Sequence, residues 1–405
     1  MIIGIDASRA NRQYKTGTEW YSYYLIKNFA EIDNKNQYRL YSDRPFGSDL
    51  KKIIADHPNF TGKVLRWPWQ YFWTLGRLTL EMVWHQPRVL FVPAHSIPLI
   101  CPRRTITTIH DIAFKKEEAV YTEQTIDRGR HFLRYLIVFI VKHILFLAGK
   151  GFKYDPTAYL DWSTRYALRH AKKIITVSHN TKKEIVEVYK TNPDKIKVIH
   201  NGYDDSFFKK IADRREVAQV LDRYGLNFPY LLSVGRLEKK KNIPMLIEAL
   251  ALLKENNPEI KTKLVLIGHA GFGYDEIKYI IEEYNLNSEV IMLGWVAEAD
   301  LPGIYNGALA FVFPSRHEGF GIPVMQALAC GLPSAISDIP VLREVAEDSV
   351  LYFDKDSKED IALKLKVILT DENLRTKLAQ SGLKRAQQFS WRKCAEETLK
   401  EIKGL

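Results

Sequence analysis

Cysteine is nearly absent. The 405 residues hold three, Cys101, Cys330 and Cys394. Their separations fit neither a disulfide framework nor a thiolate metal site, which points to a reducing compartment. The 11 histidines show no HExxH or comparable spacing, so no metal ion is expected. Tandem repeats and low-complexity tracts are also lacking, which excludes a repeat array. The N-terminus, MIIGIDAS, has no charged stretch ahead of an apolar core. It reads as a strand, and no signal peptide is expected. Acid is in deficit: Asp+Glu number 48 against Lys+Arg 59, a net charge of +11. Such an excess favours anionic partners, namely nucleotides, nucleic acid or acidic membrane. No nucleic-acid recognition motif accompanies it, so nucleic acid is not expected. Hydrophobic content of 46% and charged content of 26% are those of an ordinary globular protein.

What is present is an alternation of strands and helices. MIIGIDAS is followed by a polar loop, NRQYKTGT, and a helical pattern, EWYSYYLIKNFAEI. RVLFVPAH, RTITTIHDIAF, KKIITVSHNTKKEIVEVY and KIKVIHNGYD continue the theme. PYLLSVGRLEKKKNIPMLIEALALLKENN then repeats strand, loop and helix, with KLVLIGHAG, EVIMLGWV and ALAFVFPS after it. This order predicts α/β domains with doubly wound parallel sheets, and ligands at the carboxyl ends of the strands. A polar stretch before PYLLSV places a domain boundary near residue 205.

Two segments depart from the pattern. Residues 128–154 are strongly apolar and basic, with no acid, and Lys142-His143 interrupts the run. It falls short of the ~20 residues that a spanning helix needs. Either it lies on an anionic membrane surface or it packs in the first domain with its lysines reaching to water. RWPWQYFWTLGRL carries Trp67, Trp69, Tyr71, Phe72 and Trp73. Core packing is the expectation there, ahead of acceptor or membrane contact.

HEGFGIPVMQALACGLP, residues 317–333, reads as a glycine-rich loop feeding a short helix. Its proline sits in the first turn and Gly331 with Pro333 stops the run. Free N–H groups and the positive dipole end suit a phosphate there. In SVGRLEKKKN, Gly235 ends a strand and Arg236 and Lys241 follow it. Two cations facing a glycine-rich helix start can clamp a diphosphate. A lysine run is more often a solvated face, and the downstream Glu318 loop is what strengthens the signal.

SVGRLEKKKNIPMLIEAL, LVLIGHAG, the long stretch from VIMLGWV to VLREVA, and FSWRKCAEETLKEI resemble the retaining glycosyltransferases of family 4, glycosyl transferases group 1. In the first half GIDASRANRQYKTGTEWYSYYLIKNF, FVPAHSIPL, TIHDIAF, ITVSHNTKKEI and VIHNGYD are similar too. Residues 115–165 match least. The resemblance implies a GT-B fold, two Rossmann-like domains facing a central cleft. Residues 1–205 would be the acceptor side and 206–385 the nucleotide-sugar side, with a last helix near 386–405 packing back on the first domain. It implies transfer of a hexose, with retained configuration, from a UDP- or GDP-linked donor to a glycan or lipid-linked acceptor, in cell-surface polysaccharide synthesis. No metal and no cofactor beyond the donor co-substrate is expected. The protein would be cytoplasmic, with peripheral contact at the inner face of an anionic membrane.

By position, Arg236 and Lys241 would hold the diphosphate and stabilise it as it leaves. Glu318, first acid of the family's E-x7-E motif, would contact the donor sugar. Backbone N–H groups around Phe320, Gly321 and Ile322 would meet phosphates. Gly17 would let its loop approach the ligands closely, through unusual backbone angles. His110, closing TTIH, would orient a hydroxyl or carry partial charge, with Asp111 as a brace. His95, His269 and His317 are either cleft or merely structural residues.

Gln326 departs from the family pattern, which has Glu at this second position against the ribose hydroxyls. An amide offers one acceptor and one donor group where a carboxylate accepts twice. The swap should weaken donor binding by roughly 5–30-fold, about 1–2 kcal/mol. A working enzyme with altered nucleotide recognition is the main expectation. The alternative is a nucleotide-binding partner protein with weakened turnover. A sugar-nucleotide epimerase fits the clamp and Glu318 less well.

Overall fold

The computed structural model describes residues 1–67, 72–116 and 156–405. The chain divides into two compact units. The first holds Met1–Thr176, Lys182–Lys197 and Leu399–Leu405; the second holds Val177–Thr181 and Val198–Thr398. The apolar, basic segment 128–154, read as either a membrane-surface or a packed helix, and Trp69 and Tyr71 of the aromatic cluster, lie outside the described residues.

The first unit is built on strands β1 (Ile2–Asp6), β2 (Gln37–Ser42), β3 (Phe60–Val64), β4 (Val89–Val92), β5 (Thr105–Ile109), β6 (Lys173–Thr176) and β7 (Ile196–Val198). Their order is β3-β2-β1-β4-β5-β6-β7, and the pairs from β3 to β6 are parallel. β4 and β5 are buried along their whole length. This is why β4, VLFV, reads as an unbroken apolar run and β5, TITTI, as β-branched throughout: helices cover both faces of a parallel sheet. Trp73 is buried, its indole N–H donating to the Leu65 carbonyl at 2.9 Å, and Trp67 packs on the same core. Those two indoles belong to the core.

The second unit carries β8 (Tyr230–Val234), β9 (Lys263–Ile267), β10 (Val290–Gly294), β11 (Ala310–Phe313), β12 (Ser334–Ser337) and β13 (Leu351–Phe353). The order is β10-β9-β8-β11-β12-β13, all parallel. The helix Ile243–Asn256 buries Ile243, Leu246, Ile247, Leu250 and Leu253, one helical stripe, against this sheet. Pro244 occupies its first turn, where a missing N–H costs nothing.

In each sheet the strand order reverses once, between β1 and β4 and between β8 and β11. At such a point the loops leaving adjacent strands part and open a crevice at their carboxyl ends. Residues 235–242 leave β8 and residues 314–321 leave β11, so the two sequence motifs meet at the second switch point.

The final helix, Trp391–Lys403, ends in the first unit, where Glu401 pairs with Lys173 and Lys403 lies 3.6 Å from Asp33. Among the described residues no helix is long and apolar enough to cross a membrane.

Candidate functional site

β8 ends in a glycine corner. The Gly235 N–H donates to the Ile267 carbonyl at 2.9 Å. Gly268 after β9 has φ +147°, and a Cβ there would stand 1.9 Å from the Gly235 oxygen. The two backbones touch because Gly268 has no side chain. This corner launches Arg236, whose side chain is 58% exposed and whose Nε lies 3.7 Å from Glu238. A short 3₁₀ turn, Lys239–Lys241, then brings Lys241 back toward the sheet.

Lys241 is not part of a solvated face. Its ammonium lies 5.0 Å from the centre of the Phe313 ring and is hydrogen-bonded to Glu318. Both side chains are nearly buried, at 13% and 11% exposure. Ser315 donates to the same Glu318 Oε1 at 2.6 Å. Burial pushes the Glu318 pKa up. The charges of Lys241 and Lys240 and the bonds from Lys241 and Ser315 outweigh it and hold the carboxyl below its ordinary value. Glu318 is therefore an ionised, pre-oriented acceptor at the mouth of a helix.

That helix is Ile322–Ala329, with Pro323 in its first turn. Gly321 precedes it at φ +98°, a left-handed conformation that favours glycine. The Gly321 carbonyl accepts from the N–H of Val324 at 3.0 Å. The loop thus presents backbone donors and the dipole end as the sequence suggested. The Phe320 ring is buried, 5.7 Å from Phe389 and 6.0 Å from His200. Only its backbone can face a ligand. Gln326 lies a turn along the helix, and its Oε1 accepts from the buried Tyr305 hydroxyl at 3.3 Å.

Gly17 does not take the unusual backbone angles expected of it. It is the first residue of the helix Gly17–Ile32 and does not adopt a left-handed backbone. A capping box fixes it: Thr16 and Glu19 bond reciprocally, with the Thr16 N–H 3.2 Å from Glu19 Oε2. Glu19 also takes Arg9 at 3.3 Å. The T-x-x-E pattern in TGTE was the signal for this start.

His110 follows β5 and stands edge-on to Tyr21, ring centres 4.8 Å apart. Its Nε2 lies 3.0 Å from the Pro93 carbonyl. A carbonyl only accepts, so Nε2 carries the proton and Nδ1 is the lone-pair nitrogen. Burial lowers the His110 pKa, more than Pro93 and Asp111 raise it. A neutral hydrogen-bond acceptor is what this ring offers. Asp111 braces the chain by accepting from the Ala113 N–H at 3.1 Å. His95, beyond β4, is pushed down to about 4 by burial and by nearby Arg9 and His110. His269 lies at the exit of β9, its carbonyl accepting from the Leu237 N–H at 2.9 Å, and His317 is buried beside Glu318. Ser315 and Tyr305 had not been singled out in the sequence. They act by spatial closeness, which no spacing rule announces.

The chain is similar to known proteins in sequence and fold. The family model for glycosyl transferases group 1 matches residues 223–385, and that for glycosyltransferase family 4 matches residues 15–207. O-antigen chain mannosyltransferase B of Escherichia coli is 31% identical over 252 residues, 62% of this chain and 65% of that protein. Mannosylfructose-phosphate synthase of Agrobacterium fabrum is 29% identical over 231 residues, 54% of this chain and 50% of that protein. Each match thus spans less than two thirds of the curated relative's own length. Among solved structures, WaaG, a glycosyltransferase involved in lipopolysaccharide biosynthesis, aligns over 100% of both chains with a TM-score of 0.73 and 15% identity. Anabaena HepE in complex with UDP and glucose aligns over 100% of this chain and 99% of that one, with a TM-score of 0.71 and 17% identity. At such identities the likeness concerns the fold, two doubly wound parallel-sheet units of the GT-B class.

Proposed function

The chain belongs to the family 4, group 1 glycosyltransferases, and we propose from this that it moves a hexose from a UDP- or GDP-linked donor to a glycan or lipid-linked acceptor, with anomeric configuration retained. The observation that carries the reading is the buried Lys241–Glu318–Ser315 group at the start of the helix Ile322–Ala329. Lys241 and Arg236 are the cations for the diphosphate, and Gly235 and the N–H groups of residues 320–322 line its path. Charge that builds on the leaving phosphate is met by groups already in place, and no metal ion or cofactor is assigned to this step. Glu318 uses Oε1 for Lys241 and Ser315, and Oε2 is the oxygen for a sugar hydroxyl. His110, a neutral acceptor at Nδ1, orients a hydroxyl rather than donating a proton.

The named mannosyltransferases among the relatives make mannose the first sugar to try. The O-antigen relative favours a surface-polysaccharide role. A lipid-linked acceptor would place the enzyme at the cytoplasmic face of a membrane.

A second reading rests on Gln326. An amide held by Tyr305 in place of an acid favours a nucleotide-binding partner with weakened turnover. Donor hydrolysis across UDP-, GDP-, ADP- and dTDP-sugars, in wild type and Glu318→Ala, separates the two. Turnover of one donor that Glu318→Ala abolishes supports the transferase. Binding with no turnover of any donor, with or without candidate acceptor glycans, favours the partner protein.

A further inference from the structure

His179, His200 and Glu344 come from three separate stretches, VSHN, VIHN and LREVA. Folding brings them together within the second unit. His179 opens the helix His179–Tyr189, His200 follows β7, and Glu344 lies on the helix Pro340–Ala346. One ligand atom from each falls within 4.8 Å of the other two. The carboxylate is already oriented: Oε1 accepts from the His179 N–H at 2.7 Å and Oε2 from the Asn180 N–H at 3.0 Å. Nε2 of His200 lies 2.8 Å from Oε1. The two imidazoles meet edge to face, centres 5.7 Å apart. Behind His200 the rings of Phe320 and Phe389, at 6.0 and 5.6 Å, form an apolar wall, while His179 is exposed on the open side.

Capping the helix needs only the carboxylate and two N–H groups. It does not explain two imidazole rings standing beside the same carboxylate, each with a ring nitrogen within 4.8 Å of a carboxylate oxygen. Two imidazoles and a carboxylate, the carboxylate braced by backbone donors and one side apolar, form a donor set for a borderline divalent ion. Magnesium and calcium prefer an all-oxygen set.

We propose that His179, His200 and Glu344 bind one divalent transition-metal ion of the zinc class. The ion takes the place of the proton on His200 Nε2, which leaves to solvent. The freed Nε2 lone pair, a lone pair of Glu344 Oε1 and a His179 ring nitrogen bind the metal, and water fills the fourth position. The ion ties the start of the helix His179–Tyr189 and the turn after β7 to the helix Pro340–Ala346. It is structural, and takes no part in the transfer chemistry assigned to Lys241 and Glu318.

The test uses full-length protein stripped by chelation and titrated with Zn²⁺ against a chromophoric chelator. Wild type is compared with His179→Ala, His200→Ala and the control His85→Ala. Loss of a supporting partner alone weakens metal sites by about 10–100-fold, so loss of a direct ligand should cost at least that. Wild type and the control should bind one equivalent, both ligand variants should fall by that factor, and Zn²⁺ should raise the thermal midpoint of wild type but not of His200→Ala. Absence of competing Zn²⁺ binding in wild type, or undiminished binding in both ligand variants, overturns the proposal. His179 is exposed, and circular dichroism of His179→Ala distinguishes lost ligation from lost folding. Neither readout needs turnover, so the result is independent of the transferase reading.

Discussion

Glu318 is buried yet ionised because Lys241, Lys240 and Ser315 together offset the cost of burying it. Its pKa in the folded chain lies below the ordinary 4.5. As pH falls, the unfolded chain therefore takes up this proton first. The stabilisation is held above about 4.5 and is lost as pH drops through the lower folded value. Removing one partner leaves a buried charge, which costs about 3–5 kcal/mol. Lys241→Ala should lose stability on that scale in urea unfolding, and a loss under about 1 kcal/mol, typical of a surface pair, would contradict the geometry. Removing Glu318 as well should cost less than the sum of the single changes. His110 makes a separate prediction. Imidazole nitrogen NMR at neutral pH should show protonated Nε2 and bare Nδ1, with a midpoint below 6.5, since burial opposes the charged form. A cationic ring at pH 7 would remove the acceptor role. At Gln326, a carboxylate would accept both from Tyr305 and from a ribose hydroxyl. Gln326→Glu should tighten donor binding by roughly 5–30-fold in calorimetry.

The elements that carry these residues were largely legible. β8, β9 and β11 are short apolar runs ended by polar or glycine residues, and the helix Ile243–Asn256 has a clean helical stripe. Arg236, Lys241 and Glu318 were therefore placed at strand ends from the sequence alone. Gly17 was misread because a glycine in a polar stretch looks like a loop, although Thr16 and Glu19 spelled a capping box around it. Ser315 was passed over because PSRHE has no helical or strand period; its hydroxyl matters only because the chain curls back on Glu318. The glycine corner yields a prediction at this scale. Gly268→Ala adds a Cβ 1.9 Å from the Gly235 oxygen at a left-handed φ. Backbone strain alone costs about 1–3 kcal/mol, and the clash adds to it. A marked fall in thermal midpoint with loss of nucleotide binding is expected; an unchanged midpoint would mean that the β8 and β9 exits are looser than this.

At the scale of the whole molecule, two compact units with separate cores need not unfold as one. Calorimetry should resolve two transitions. A nucleoside diphosphate, held by groups of the second unit alone, should raise one of them selectively. Long-range assembly is also where sequence reading stopped. His179, His200 and Glu344 have no shared spacing, so a search by ligand spacing predicts no metal and passes over them. The central claim is that Lys241 serves the diphosphate while Glu318 serves the sugar. Calorimetric titration of a sugar nucleotide and its parent diphosphate, GDP-mannose with GDP first and UDP-glucose with UDP next, tests this most directly in wild type and Glu318→Gln. The sugar nucleotide should bind wild type more tightly than the diphosphate does, and Glu318→Gln should erase that advantage while leaving diphosphate affinity nearly unchanged. An advantage that survives Glu318→Gln intact would contradict the assignment.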